Sequence, residues 1–184
     1  IIHISDIHSG SLKELASVKK GVQMIQNQQP DLVLFTGDLV NDRANEMEPW
    51  SPVFSEINAP FGVFSTLGNH DYGDYVKWDS QEAKMQNLEA LKKVHANMGW
   101  RLLMNENVKI EKDGAILQLV GIENWGAKAR FPKYGKMELA MNGVQPDLPI
   151  ILMSHDPSHW EAEVIPKYPQ INLTLSGHTH GMQF

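Results

Sequence analysis

The run Asp31-Leu32-Val33-Leu34-Phe35-Thr36-Gly37-Asp38 decides the fold. A short apolar segment bounded by turn residues reads as a strand over Leu32–Thr36, ending in a Gly-Asp pair. The same grammar recurs on both sides of it. Ile1–Ser5, Gly62–Leu67, Ile116–Gly121, Ile150–Ser154 and Ile171–Leu175 are further strands by this reading. Helical patterns lie between them over about 12–27, 44–57, 81–98 and 158–165. In the third, Met85, Leu88, Leu91, Val94 and Met98 form one apolar stripe, and Gly99 stands where a helix C-cap would. Arg101–Asn105 and Val108–Lys112 read as two antiparallel strands, with Lys112-Asp113-Gly114 turning into the next. The order is βαβαβα, a β-rich stretch, then βαβ. This is an α/β chain with a largely parallel first half and a mixed second half. Residues 122–149 are the least regular part, with a short helix expected at 136–142.

The chain has 184 residues, the size of one domain, and the single unit is expected to span 1–184. Its 42% hydrophobic and 21% charged residues suit a globular protein and argue against disorder or a coiled coil. No apolar window is long enough to span a bilayer, and no signal peptide is visible. The chain opens on a strand without Met and stops just after a dense polar motif. It therefore reads as a domain cut at both ends from a longer protein, with any membrane anchor upstream of it and the compartment left open. A net charge of −6 gives no basic nucleic-acid footprint. There is no cysteine, so disulfides, thiolate metal sites and cysteine nucleophiles are excluded. Any metal site must use oxygen and imidazole nitrogen. No protein partner is evident.

The polar residues collect at the ends of strands. Strand one runs into Ser5-Asp6-Ile7-His8, the second into Gly37-Asp38, and the third into Gly68-Asn69-His70-Asp71. The strand at 150–154 runs into His155, and the last into Gly177-His178-Thr179-His180. Taken singly, each has an ordinary reading: a turn, a helix cap, a buried histidine. Open α/β sheets build sites at the carboxyl ends of their strands, so five such ends point to one shared site. Imidazole, carboxylate and amide donors without sulfur suit a pair of first-row ions such as Mn, Fe or Zn. Asp38, with two carboxylate oxygens, can bridge two ions, and Asn69 adds a neutral oxygen. Two divalent ions outweigh the charges of Asp6 and Asp38 and can attract a phosphate even on an acidic protein.

This ordered set of D-x-H, GD, GNHD, H and GHTH resembles the calcineurin-like metallophosphoesterase superfamily. The match runs from Asp6 to His180. The ending GHTHGMQF is similar to that of the YkuE/YaeI-like bacterial phosphodiesterase branch, with Met182 where that branch carries Gly. The resemblance implies a four-layer αββα sandwich of two mixed sheets flanked by helices. It implies that Asp6, His8, Asp38 and His180 hold one ion. Asp38, Asn69, His155 and His178 would hold the other. It gives His70 the catalytic role of contacting the phosphate and protonating the leaving group after attack by a metal-bridging hydroxide. Relatives orient that histidine with an acid three residues after the bridging Asp. Here that position is Asn41, and Asp71 is a substitute candidate. Glu123 is a candidate for a carboxylate that orients a ligand histidine, with a simple turn as the alternative.

The branch implies a phosphodiester substrate, with lipid-linked diesters or pyrophosphates as candidates and a membrane tether outside this chain. A phosphomonoesterase, a nuclease of the same fold and a noncatalytic metal-binding scaffold are the alternatives. His159 is expected on an exposed helix face, with a contact near the site as the alternative. His3 and His95 are expected to be structural, and Asp74 and Asp79 to be solvated. The five tryptophans read as packing residues. Trp125 and Tyr72 are the candidates for an aromatic facing substrate. Specificity elements are expected in 72–80 and 122–149.

Overall fold

A computed structural model describes residues 1–127 and 132–180. Eight strands form two four-stranded sheets. The first holds β1 (Ile2–Ile4), β2 (Val33–Phe35), β3 (Val63–Ser65) and β4 (Trp100–Leu102), in that order. All its pairings are parallel, with Ile4 opposite Phe35 and Phe35 opposite Ser65. The second holds β5 (Glu106–Lys112), β6 (Ala115–Gly121), β7 (Ile150–Met153) and β8 (Leu173–Leu175). Here β5 and β6 form an antiparallel hairpin, while β6, β7 and β8 run parallel. The resemblance implied two mixed sheets; among the described residues only the second is mixed.

Alternation of side chains along the strands builds the layers. Val33 and Phe35 of β2 face helices α1 (Leu15–Asn27) and α3 (Gln81–Asn97), in a core with Val22, Leu91 and Trp100. Leu34, between them, faces the other way and packs with Leu119, Ile151 and Met153 of the second sheet. On β7, Ile151 and Met153 point to that middle layer. Ile150 and Leu152 point outward, to Met137 and Ala140 of α4 (Met137–Ala140) and to Val164. Three apolar layers thus separate helix, sheet, sheet and helix, as the four-layer expectation requires.

Four local expectations need correction. The stretch 44–57 is not one helix. It is a single 3₁₀ turn at Ala44–Met47 and a four-residue helix α2 (Ser51–Phe54). Pro49 and Pro52 lack the N–H groups a continuous helix would need. Next, β4 and β5 do not pair with each other. They lie in different sheets, and Leu103 crosses between them into the middle layer. In addition, Met85 is 66% exposed and off the buried stripe of α3. At about 100° per residue it lies roughly 120° around the helix from Leu91, whereas His95 falls inside the buried arc. The helix ends as expected, with Gly99 at φ +77° just past its cap. The expected helix at 158–165 is a π-helical turn at Trp160–Val164 followed by α5 (Ile165–Lys167). No helix among the described residues is long and apolar enough to cross a membrane.

Candidate metal centre

The carboxyl ends of β1, β2, β3, β7 and β8 meet along one edge of the two sheets. Backbone hydrogen bonds hold these ends together. Asp6 N–H donates to Gly37, His8 N–H to Asp38, and Gly177 N–H to His155. Two glycines allow the approach. A Cβ on Gly68 would overlap the Asp38 carboxylate, and one on Gly177 would overlap Ser5 and Asp6. The cost of the convergence is carried in the backbone. Asp6, His8, Asp38, His178 and His180 all have left-handed φ values, between 46° and 71°. Such conformations are unfavourable for residues with a Cβ and collect at functional sites.

The donors fall into two overlapping groups. Asp6, His8 and His180 offer ligand atoms within 4.8 Å of one another, and so do Asp38, His155 and His178. His8 Nε2 is 3.2 Å from His180 Nε2 and 3.6 Å from Asp38 Oδ2. His180 Nε2 is 3.6 Å from Asp6 Oδ1. On the other side, His155 Nε2 is 3.1 Å from Asp38 Oδ2 and 3.2 Å from Asn69 Oδ1. His178 Nδ1 is 2.9 Å from the same Asn69 oxygen. Asp38, buried at the centre, therefore faces both groups. A third group of His8, Asp38 and His70 has equally close donors.

The chemistry of this donor set fits cations. His155 Nδ1–H donates to the Thr36 carbonyl at 2.8 Å, which leaves the Nε2 lone pair aimed at two oxygens. Four imidazoles, two carboxylates and an amide oxygen gathered here need positive charge among them. Without a metal a proton takes that place. Burial lowers the His155 pKa, but the hydrogen bond and charge of Asp38 raise it further, to about 9. Burial likewise raises Asp38, but His155 and His70 bring it below the usual carboxylate range. Burial lowers the pKa of His8 and of His178, which favours the neutral imidazole. Metal ions replace such protons on binding.

His70 stands beside the centre. Its N–H donates to Asp38 Oδ1 at 2.9 Å, and its ring lies edge-on to His8 with centroids 4.8 Å apart. Its Nδ1–H donates to the backbone carbonyl of Asn41 at 2.8 Å. Asn41 thus orients His70, but through its main chain; its side-chain amide donates to Ser11. Asp71 does not orient His70. Its buried carboxylate accepts N–H groups from Gly68, Asp38, Leu39 and Val40 and ties the β2 end to the β3 end. Burial and the Asp38 charge push this carboxyl up to about 7, against the pull of those donors. Glu123 orients no ligand histidine either. It accepts from the Tyr72 hydroxyl and the Asn105 amide.

Other expectations shift as well. Tyr72 is buried against Tyr134 and does not face the cleft. Trp125 packs on His159, with the Lys133 ammonium over its ring. His159 is buried, not exposed. It lies between Ser154 Oγ at 2.9 Å and Glu163 at 3.2 Å. Trp50 and Trp100 are core residues, and Trp78 donates to Gly73 and carries Arg43 on its ring. His3 bonds Thr36, His95 is buried, and Asp74 pairs with Lys84. Residues 128–131 of the irregular stretch, and Met182, lie outside the described residues. Sequence reasoning missed two groups. Glu46 accepts N–H groups from Asn41, Asp42 and Arg43 and pins the loop after Asp38. Tyr75 reaches the centre from the loop after GNHD; only its proximity to that motif hinted at it.

In front of the centre is a cleft of about 590 Å³, lined by Asp6, Ile7, His8, Leu12, Asp42 and His70 among others. Among the described residues that line it there is no Lys or Arg.

The family model described as calcineurin-like phosphoesterase matches residues 1–182. A zebrafish (Danio rerio) transmembrane protein with a metallophosphoesterase domain is 30% identical over 187 residues, covering 100% of this chain and 40% of the relative. The UDP-2,3-diacylglucosamine pyrophosphatase LpxG of Chlamydia muridarum is 27% identical, covering 100% of this chain and 64% of that protein. The uncharacterized metallophosphoesterase YkuE of Bacillus subtilis is 28% identical, covering 100% and 58%. The chain spans about half the length of these relatives, which are bacterial and vertebrate alike.

Proposed function

The chain belongs to the calcineurin-like phosphoesterase family of metal-dependent phosphoric ester hydrolases, and on that premise we propose that it hydrolyses phosphodiesters at a two-ion centre. One observation carries the reading: Asp38 lies between two groups of nitrogen and oxygen donors, each fit for a cation. In this assignment Asp6, His8, Asp38 and His180 hold the first ion. Asp38, Asn69, His155 and His178 hold the second. When bound, a pair of ions supplies positive charge for the phosphoryl oxygens and makes a coordinated water more acidic.

The chain's own residues do the rest. Asp38 and the backbone around it fix the spacing of the two donor groups. His70 is held at Nδ1 by the Asn41 carbonyl, which leaves Nε2 to the substrate. From there it gives its proton to the leaving oxygen and stabilises charge on the phosphoryl group. Among the described residues the cleft's lining adds no cationic side chain and does add Asp42. A singly charged diester suits that balance better than a dianionic monoester. Ile7 and Leu12 give the cleft an apolar wall suited to an apolar ester group. The diacylglucosamine named for the Chlamydia relative carries apolar groups of this kind. The transmembrane relative supports a membrane-anchored parent of which 1–184 is the catalytic domain.

The test is turnover of bis(p-nitrophenyl) phosphate beside p-nitrophenyl phosphate, on protein stripped with chelator and reloaded with Mn²⁺. Diester turnover at least about tenfold above monoester turnover, lost on stripping, is expected. The reverse preference makes the protein a phosphomonoesterase. No turnover with two ions bound makes it a scaffold.

A further inference from the structure

Asn69 carries a donor that can face the wrong way. An amide turned over presents N–H instead of oxygen, and its shape barely changes. His155 and His178 both approach its oxygen, and a partner on Nδ2 fixes that orientation from the other side.

Tyr75 is placed to do so. Its hydroxyl accepts a hydrogen bond from Asn69 Nδ2 at 2.6 Å, while Asn69 Oδ1 faces His178 and His155. Its ring stacks on His70 with centroids 4.4 Å apart and planes at 27°. His8 also meets the His70 ring, in an edge-on contact with centroids 4.8 Å apart. The loop that delivers Tyr75 is itself tied down. Trp78 donates to the Gly73 carbonyl, Asp74 pairs with Lys84 of α3, and the Tyr75 N–H donates to Asp42. Yet Tyr75 is 48% exposed and contributes little to the core. One half-exposed side chain thus contacts both the amide donor and the proposed acid.

We propose that Tyr75 is a positioning residue: its hydroxyl keeps the Asn69 oxygen turned toward the second ion and its ring fixes the imidazole of His70. The role rests on the two-ion reading above. Removing the hydroxyl lets the amide turn, so only part of the protein remains competent for the second ion. Apparent affinity falls by that fraction. The ring contact is a separate function and survives in Tyr75→Phe but not in Tyr75→Ala.

Three readouts test it on the whole chain. Stripped wild type, Tyr75→Phe and Tyr75→Ala are titrated with Mn²⁺ by calorimetry, and kcat and KM for the diester are measured at saturating Mn²⁺. The Asn69 side-chain amide is followed by NMR in the metal-free proteins. Tyr75→Phe is expected to bind one of two ions about tenfold more weakly and to shift the Asn69 amide signals. Its kcat at saturating metal should stay near wild type, while Tyr75→Ala loses kcat as well. A Tyr75→Phe isotherm that superimposes on wild type overturns the proposal. If the wild type binds no metal, the two-ion reading fails by itself, and the amide signal decides alone. Unchanged Asn69 resonances in metal-free Tyr75→Phe then overturn the role of Tyr75, and shifted ones support it.

Discussion

Five of the seven proposed ligands sit in left-handed backbone, and none of them is a glycine. Each such conformation costs roughly 1–2 kcal/mol, so the donors are held in place by the surrounding structure. Asp71 is one such support, since it accepts four buried N–H groups from the strand ends that carry Asp38 and Asn69. Asp71→Ala leaves those donors unsatisfied and should lower stability by about 3 kcal/mol, read as a lower denaturant midpoint. A midpoint within about 0.5 kcal/mol of wild type would show that water or a shifted loop replaces the carboxylate. His70 is assigned the other kind of role, that of acting on substrate. His70→Ala should keep two ions and lose about 10²-fold or more in kcat. Metal content after gel filtration checks this. Loss of an ion would put His70 among the ligands, as its closeness to His8 and Asp38 allows. The motifs displayed these residues in the sequence, but not their partners. GNHD names Asp71 without saying that it faces backbone N–H groups and not an imidazole. Nothing in Asn41 announces that its carbonyl, and not its side chain, meets His70.

At the scale of the element, the strands were legible because alternation and turn chemistry are local. The run 31–38 predicts β2, and the structure gives Val33–Phe35 ending at Gly37-Asp38. What failed was non-local. Pairing β4 with β5 looked natural from sequence proximity, but Leu103 carries the chain from one sheet into the space between both. His159 looked exposed because the helix after His155 was taken as regular. The π-helical turn at Trp160–Val164 instead accompanies a buried His159 bonded to Ser154 and Glu163. α3 offers a test of its own packing. His95 lies wholly buried against Phe35 and Trp100, and neither ring nitrogen has a hydrogen-bond partner. Burial lowers its pKa to about 3. The unfolded chain protonates this imidazole near pH 6.5 and the folded one only near 3, so the unfolded state binds more protons between them. Stability should therefore fall as pH drops below about 6.5, by up to about 1.4 kcal/mol per unit from this residue. Unfolding of wild type and His95→Leu across pH 4–7 checks the slope. Equal slopes would mean that His95 gains a partner or water in solution.

For the whole molecule, the donors join its two sheets. Asp6, His8, Asp38 and Asn69 follow strands of the first sheet, and His155, His178 and His180 follow strands of the second. In the proposed assignment each ion takes donors from both. Metal should then stabilise the entire domain, by about 4 kcal/mol at free ion a thousandfold above Kd. Stripping with chelator should lower the thermal midpoint, and Mn²⁺ should restore it. A midpoint indifferent to metal would mean that no ion binds the folded chain more tightly than the unfolded one. This convergence could be anticipated from five strand ends, but the positions that make it work could not. Tyr75 and Glu46 act through contacts that only the assembled loops create.

The most direct measurement is the number of Mn²⁺ ions taken up by stripped protein, for the wild type, His8→Ala and His155→Ala. Two ions per chain in the wild type and one in each variant, with Asp38→Ala losing both, is the predicted result. A single ion in the wild type, or two in all the variants, would contradict a centre built on Asp38 between two donor groups.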